Sequence, residues 1–235
     1  MSCSAQPTLS NPLITSAQVK EVDALTQERF GIATDWLMEA AGWQVARFCG
    51  QPAVVVCGVG NNAGDGLAAA RHLHRWGRLA SVCCVDAGRL RGPAARELDA
   101  LRLIGVVVSD ELNLEGAQVV VDAIFGTGLS RAPEGRFAEW IESINASGKP
   151  VIAVDLPSGL DADTGVAYAP TVHAVATITL GLPKPGLLQG DGPRVCGEVL
   201  VADIGVPFEA YAVLGIDVPR DMFAKEQLVR LRSER

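Results

Sequence analysis

Asn61, Asn62 and Asp65 crowd one short glycine-rich stretch, Gly58-Val59-Gly60-Asn61-Asn62-Ala63-Gly64-Asp65-Gly66. Glycines let a backbone turn tightly and approach a ligand, and the helix expected over 66–76 offers free N–H groups to an anion. The stretch matches the G-x-G-x-x-G/A dinucleotide fingerprint, and Asp86 closes the next strand, where such folds bind a ribose hydroxyl. A pyrophosphate loop needs neither two adjacent amides nor a carboxylate. On these residues alone two readings stay open. One is a ligand loop; the other is an ordinary turn whose Asn and Asp side chains shape the chain and cap the helix.

Three more stretches carry chemistry. Asp122 interrupts an apolar run, where a carboxylate is costly unless paired with a cation, hydrogen-bond donors or a metal. It either serves a ligand or only hydrogen-bonds a neighbouring loop. Gly126-Thr127-Gly128 follows, with backbone N–H groups suited to phosphate. Asp155 closes another apolar run just before Pro157-Ser158-Gly159. It is the best-placed general acid/base, because a carboxylate in a dry cleft is expected to titrate closer to neutrality. Asp161 and Asp163 read as turn residues of their own loop, without the spacing or glycine of a calcium loop. Lys184, between two prolines after a strand, either reaches into the site or faces solvent. Asn62, Asp122 and Ser158 offer oxygens from three strand ends. Such a set suits a hard, weakly held cation, and a monovalent ion better than magnesium, zinc or copper.

The elements that must position these groups alternate along the chain. Ser16 is expected to cap a helix bearing Val19, Val22, Leu25 and Phe30, ended by Gly31. Thr34 is expected to cap a second, with Leu37, Met38, Ala41, Val45 and Phe48 on one stripe. As an N-terminal helical extension, the pair reads as cover for a sheet edge or a subunit contact. Val- and Ile-rich runs at 53–57, 79–86, 106–108, 119–124, 151–155, 174–180 and 198–202 then alternate with helical patterns at 66–76, 92–103 and 137–147. Buried apolar strands separated by helices mean a mostly parallel sheet covered on both faces. The fold class is α/β, a Rossmann-like three-layer αβα sandwich. One domain is expected, with a core over about 14–207 and a tail over 208–235. The tail's charged end, 221–232, reads as a helix that either packs on the domain or begins a linker.

Composition narrows the function classes. At 49% hydrophobic residues the 235-residue chain supports a large core and not a disordered one. A net charge of -7 argues against nucleic acid. No apolar run approaches the roughly 18 residues of a membrane span, and the N-terminus has no signal-peptide pattern. A cytoplasmic location is the expectation. Cys3, Cys49, Cys57, Cys83, Cys84 and Cys196 form no C-x-x-C pair and read as reduced thiols, several in apolar runs. Three histidines without metal-ligand spacing argue against zinc.

Taken in order, these stretches resemble the YjeF N-terminal domain family, the NAD(P)HX epimerases. The glycine-rich loop matches the family's G-x-G-N-N-G-G-D-G, with Ala63 where glycine is usual. Residues 122–129 match D-A-[LI]-F-G-T-G-L, and 155–165 match D-[IL]-P-S-G-L-[DN]-[AS]-[DN]-T-G. The leading DWLMEAAG and Lys184-x-Gly186 look like family features too. The resemblance implies an isomerase of nicotinamide cofactor repair, interconverting the R and S epimers of hydrated NADH and NADPH. It implies that Asn61, Asn62, Ala63, Gly64 and Asp65, together with Gly126, Thr127, Gly128, Leu129, Ser130, Arg131 and Ala132, line the hydrated dinucleotide. It further implies that Asp155 contacts the nicotinamide part as the acid/base, that Lys184 belongs to the same site, and that Asn62, Asp122 and Ser158 hold one potassium ion per subunit. A partner dehydratase and a homodimer are implied as well. The competing readings are a non-catalytic binding or scaffold protein on the same fold, and an ordinary NAD-dependent dehydrogenase. The dehydrogenase lacks a histidine after a suitable strand. At Ala63, a positive φ would cost roughly 1 kcal/mol or more.

Overall fold

The valine runs form strands whose alternate residues face opposite layers. The computed structural model describes residues 12–231. Its strands are β1 (Ala53–Cys57), β2 (Leu79–Cys84), β3 (Val108–Ser109), β4 (Val119–Ala123), β5 (Val151–Val154), β6 (Ala176–Leu180), β7 (Glu198–Ala202) and β8 (Leu228–Arg230). They form one sheet in the order β3-β2-β1-β4-β5-β6-β7-β8, parallel throughout except for the antiparallel β7–β8 pair. Val55, Cys57, Val121 and Ala123 face one core, shared with α2 (Thr34–Phe48), α3 (Asn61–Arg75) and α4 (Gly92–Leu103). Val54, Val56 and Val120 face the other, against Trp140, Ile141 and Ile144 of α5 (Arg136–Ala146). This is the expected three-layer α/β sandwich.

Small residues set how closely these layers approach. A Cβ on Gly58 would lie 2.0 Å from the Ile124 carbonyl oxygen, and one on Gly66 would lie 2.4 Å from the Ala123 Cβ. These two glycines therefore serve the packing of β1 and α3 against β4.

Several boundaries differ from the sequence reading. The first helix, α1 (Ser16–Glu28), is capped by Thr15 in a capping box with Gln18, not by Ser16. Thr34 is the first residue of α2, and Ala33 holds the cap position without a side-chain hydrogen bond. The third helix starts at Asn61, five residues before the expected Gly66, because its first turn is built from the Asn-Asn-Ala-Gly stretch. Ala63 therefore lies inside a helix and fully buried; the only non-glycine residue with positive φ among those described is Asp155. Its methyl carries no backbone strain.

The tail's charged end is not a helix over the described residues 221–231. Residues 228–230 add the antiparallel strand to β7, with Arg230 paired to Glu198. A short helix, α7 (Phe208–Val213), packs Ala210 and Tyr211 with Ile14, Val22, Leu182 and Val218 in a small core of its own. Residues 208–231 are thus built into the domain. Cys49, Cys57, Cys83, Cys84 and Cys196 are free and buried, as expected; Cys3 lies outside the described residues. No described helix is long and apolar enough to cross a membrane.

Candidate active site

Strand order reverses beside β1, where β2 and β4 flank it, and ligands of open α/β sheets gather outside such points. A cavity of about 400 Å³ opens there. The segments after β1, β4, β5 and β6 supply its polar wall: Asn61, Asn62 and Asp65; Gly126, Thr127, Gly128 and Leu129; Asp155; and Lys184.

Asp155 follows β5 at φ 68, a left-handed conformation that Asp tolerates better than most side chains. Holding it there costs on the order of 1–3 kcal/mol, strain of the kind that collects at functional sites. Its backbone N–H still donates to the Ile178 carbonyl at 2.8 Å, so strand pairing fixes its position. One carboxylate oxygen accepts from Lys184 Nζ at 2.5 Å, from the Leu180 amide at 3.2 Å and from the Thr179 hydroxyl at 3.3 Å. Lys184 does not face solvent. It is 1% exposed, and its ammonium also donates to the Leu180 carbonyl at 2.8 Å. The pair leaves the second Asp155 oxygen beside Gly126, 3.2 Å from where a Cβ would stand.

The Asn62 amide converges on the same point. Its Cγ and Oδ1 would each lie 3.2 Å from a Gly126 Cβ, and its buried oxygen and nitrogen have no partner among the described residues. Asp122 and Ser158 are wholly buried nearby in the fold. The Ser158 hydroxyl donates to Asp122 at 2.6 Å and accepts from the Phe125 amide at 2.9 Å, and the Ser158 amide donates to Asp122 at 2.8 Å. Burial pushes the Asp122 carboxyl up to about 6 against these hydrogen bonds. Asp122 thus hydrogen-bonds a neighbouring loop, one of its two open readings, by bracing the segment after β5 through Ser158. No group of three or more His, Cys, Asp or Glu side chains gathers for a metal among the described residues.

Other expected residues sit elsewhere. Ala63 and Gly64 lie on the inner face of α3; a Cβ on Gly64 would meet Met38 at 2.5 Å and Ala94 at 2.9 Å, so this glycine lets α2 and α4 close in. Ser130, Arg131 and Ala132 continue outward past Leu129, with Ser130 and Arg131 exposed and none of the three on the cavity wall. Asp86 is exposed and away from the cavity. Asp161 does organise its own loop, accepting from the amides of Asp163 and Thr164. Asp163 does something else: it accepts from the Ser16 amide at 2.7 Å and the Ser16 hydroxyl at 2.6 Å, tying α1 to the site.

The N-terminal helices are more than cover. Val19, Lys20 and Asp23 of α1 and Leu37 and Met38 of α2 line the cavity, and Tyr211 of α7 completes it. Burial, with the Asp155 charge adding and the Lys184 charge opposing, pushes Asp23 up to about 6. Burial likewise raises Asp65, helped by Asp155 and Asp23. One signal in the sequence pointed to Asp23. It stands four residues after Val19, a carboxylate beside the apolar stripe of its own helix.

The family described as "YjeF-related protein N-terminus" matches residues 34–186. A Rhodopirellula baltica protein named NAD(P)H-hydrate epimerase is 36% identical, over 87% of this chain and 88% of its own. A Limosilactobacillus fermentum protein of that name is 38% identical, over 83% and 98%. A Thermofilum pendens bifunctional NAD(P)H-hydrate repair enzyme is 42% identical over 81% of this chain, which spans only 40% of that enzyme's length. The crystal structure of yeast YNL200c superposes with a TM-score of 0.77, covering 93% of this chain and 99% of that one, at 24% identity, a likeness of fold. On matched motifs and on relatives aligned over most of both chains, this chain belongs to the YjeF-related protein N-terminus family.

Proposed function

We propose that this chain is an NAD(P)H-hydrate epimerase, an isomerase interconverting the R and S forms of hydrated NADH and NADPH. The observation that carries the reading is the buried Asp155–Lys184 pair in a cavity at the strand-order reversal, beside the partnerless Asn62 amide. Relatives named for this activity support it. The dinucleotide would lie along the segments after β1 and β4, where α3 presents its N-terminus and Gly126-Thr127-Gly128 presents backbone N–H groups. Asp155 would face the hydrated ring. Inversion at a carbon bearing nitrogen and hydroxyl needs reversible loss and return of the hydroxyl, or ring opening, and either route needs a group that gives and takes a proton. The ammonium of Lys184 balances the Asp155 charge and fixes which oxygen is free.

The same reading includes a potassium ion held by Asn62, Asp122 and Ser158. The fit rests on the Asn62 oxygen, buried without a donor, and on a fully buried Asp122 charge. Once bound, the ion would neutralise Asp122 and fix the Asn62 amide. The reading also takes in a reducing, cytoplasmic setting, which the five buried free thiols fit. It takes in coupling to an S-specific dehydratase, and the relatives named bifunctional repair enzymes support a second activity beside this one. Pairing of two copies completes it; Trp36 on α2, 64% exposed, offers apolar surface for that contact.

The test starts from mixed hydrated NADPH epimers after an S-specific dehydratase has exhausted the S form. Added protein is expected to accelerate consumption of the residual R form in potassium buffer. No acceleration favours the scaffold reading.

A further inference from the structure

This inference rests on the epimerase reading and concerns its chemistry. Loss and return of a hydroxyl with inversion makes two demands: a proton for the oxygen departing on one face, and a base for the water arriving on the other. Asp155 meets one of them. The cavity wall holds a further carboxylate from a different element, Asp23 on α1.

The structure places Asp23 there firmly. The helix is anchored to two of the loops that carry the site: the Ile14 amide donates to the Pro183 carbonyl at 3.0 Å, next to Lys184, and Ser16 donates twice to Asp163. Val22 packs into the small core with Leu182 and Tyr211, which fixes the rotation of α1 and turns Asp23 inward. The ionisable groups around the cavity are Lys20 on α1 itself, Asp65 on α3, Asp155 after β5, Lys184 after β6 and Tyr211 on α7. None of them forms an ion pair or hydrogen bond with Asp23, whose perturbation comes from burial and from charges at a distance.

We propose that Asp23 is the second proton-transferring residue, serving the face of the hydrated nicotinamide ring opposite to the face served by Asp155. In one direction the Asp23 carboxyl gives its proton to the C6 hydroxyl. The C–O bond breaks, water leaves, and the ring-nitrogen lone pair forms C=N. Water then adds from the other face, the C=N pair returns to nitrogen, and the added water's proton passes to Asp155. In the reverse direction the roles exchange, and between turnovers in one direction solvent water carries the proton from Asp155 back to Asp23, so no oxidant or co-reactant is needed. Asp23 suits a part that alternates between acid and base, since burial on the cavity wall pushes its carboxyl up to about 6.

Asp23→Asn, Asp23→Glu and Asp65→Asn are compared with wild type by following the approach to epimeric equilibrium from each pure epimer. Asp23→Asn is expected to lower kcat about 10²- to 10⁴-fold in both directions, the usual worth of a general acid/base, with KM within threefold. In the wild type this step needs the Asp23 carboxyl protonated, so kcat/KM falls as pH rises through about 6. That limb is absent from the residual activity of Asp23→Asn. Asp23→Glu, which keeps a carboxyl, recovers part of kcat and also carries the test should Asp23→Asn fail to fold. The inference is overturned by Asp23→Asn with kcat within threefold of wild type, by a loss confined to KM, or by disappearance of the limb in Asp65→Asn instead. A wild type that epimerises neither form overturns the epimerase reading itself.

Discussion

Lys184 and Asp155 form an ion pair whose side chains are 2% and 10% exposed, so each is the other's main counter-charge. Removing one partner of such a pair strands a charge in a low-dielectric site and typically costs about 3–5 kcal/mol. Asp155→Ala is therefore expected to lose stability on that scale in urea denaturation. Asp155→Ala combined with Lys184→Met recovers most of it, because no unpaired charge remains, while epimerisation stays absent in both. A double variant no more stable than the single one would show that the pair is not the source of the loss. Gly126 supplies the complementary case. A methyl there stands 3.2 Å from both the Asn62 amide and the free Asp155 oxygen, so Gly126→Ala is expected to lower kcat/KM at least tenfold while shifting the melting temperature little. Lys184 itself could not be placed from sequence, since solvent and cavity are equally open to a lysine after a strand. Only the tertiary fold shows that the Leu180 carbonyl and Asp155 receive its ammonium.

At the scale of elements, α1 joins the active site through a contact 147 residues away in sequence. The Asp163 carboxylate satisfies the Ser16 amide at the helix start, where negative charge also meets the favourable end of the helix dipole. Charge-assisted hydrogen bonds of this kind are worth about 1.5–3 kcal/mol each. Asp163→Ala is expected to loosen α1, raising KM severalfold and speeding amide hydrogen exchange across residues 16–23, with the sheet unchanged. Exchange unchanged over that helix would mean that the Ile14–Pro183 bond and the Val22 contacts suffice. The helices were legible as helices from their apolar spacing. Their role was not, because spacing reports which face is buried and not what it is buried against.

For the whole molecule, the carboxylates raised by burial set a pH dependence. Asp23 and Asp122 titrate near 6 in the folded chain against about 3.8 when unfolded, and Asp65 is raised as well. Between those values the folded state binds more protons than the unfolded one, so stability falls as pH rises through roughly 4–6 and stays low above. His72, lowered by burial, works in the opposite sense. Burial raises Glu97 as well, whereas hydrogen bonds hold Asp35, Asp161, Asp191 and Glu209 low in the opposite sense, near the surface where solvent screens them. The buried carboxylates set the sign, and the melting temperature in potassium-free buffer is expected to be higher at pH 5 than at pH 7.5. Potassium at pH 7.5 is expected to restore part of the difference, and lithium none, if Asn62, Asp122 and Ser158 hold the ion. A scanning-calorimetry series that shows equal melting temperatures at both pH values, or equal shifts with both salts, would count against these assignments.

The sequence by itself determined the sheet, its covering layers and the segments that meet at its carboxyl edge. Strand and helix periods, buried valine runs and loop glycines are local properties, and parallel strands bring their following loops to one side. It also marked Asp122, Asp155 and Ser158, since a carboxylate interrupting or ending an apolar strand has few places to go. Only the tertiary structure decided that α3 begins at Asn61, that Ala63 and Gly64 serve packing, that the tail pairs with β7, and that Asp23 reaches the cavity. Each of these depends on contacts between distant parts of the chain, where packing between layers, and not local propensity, fixes the outcome.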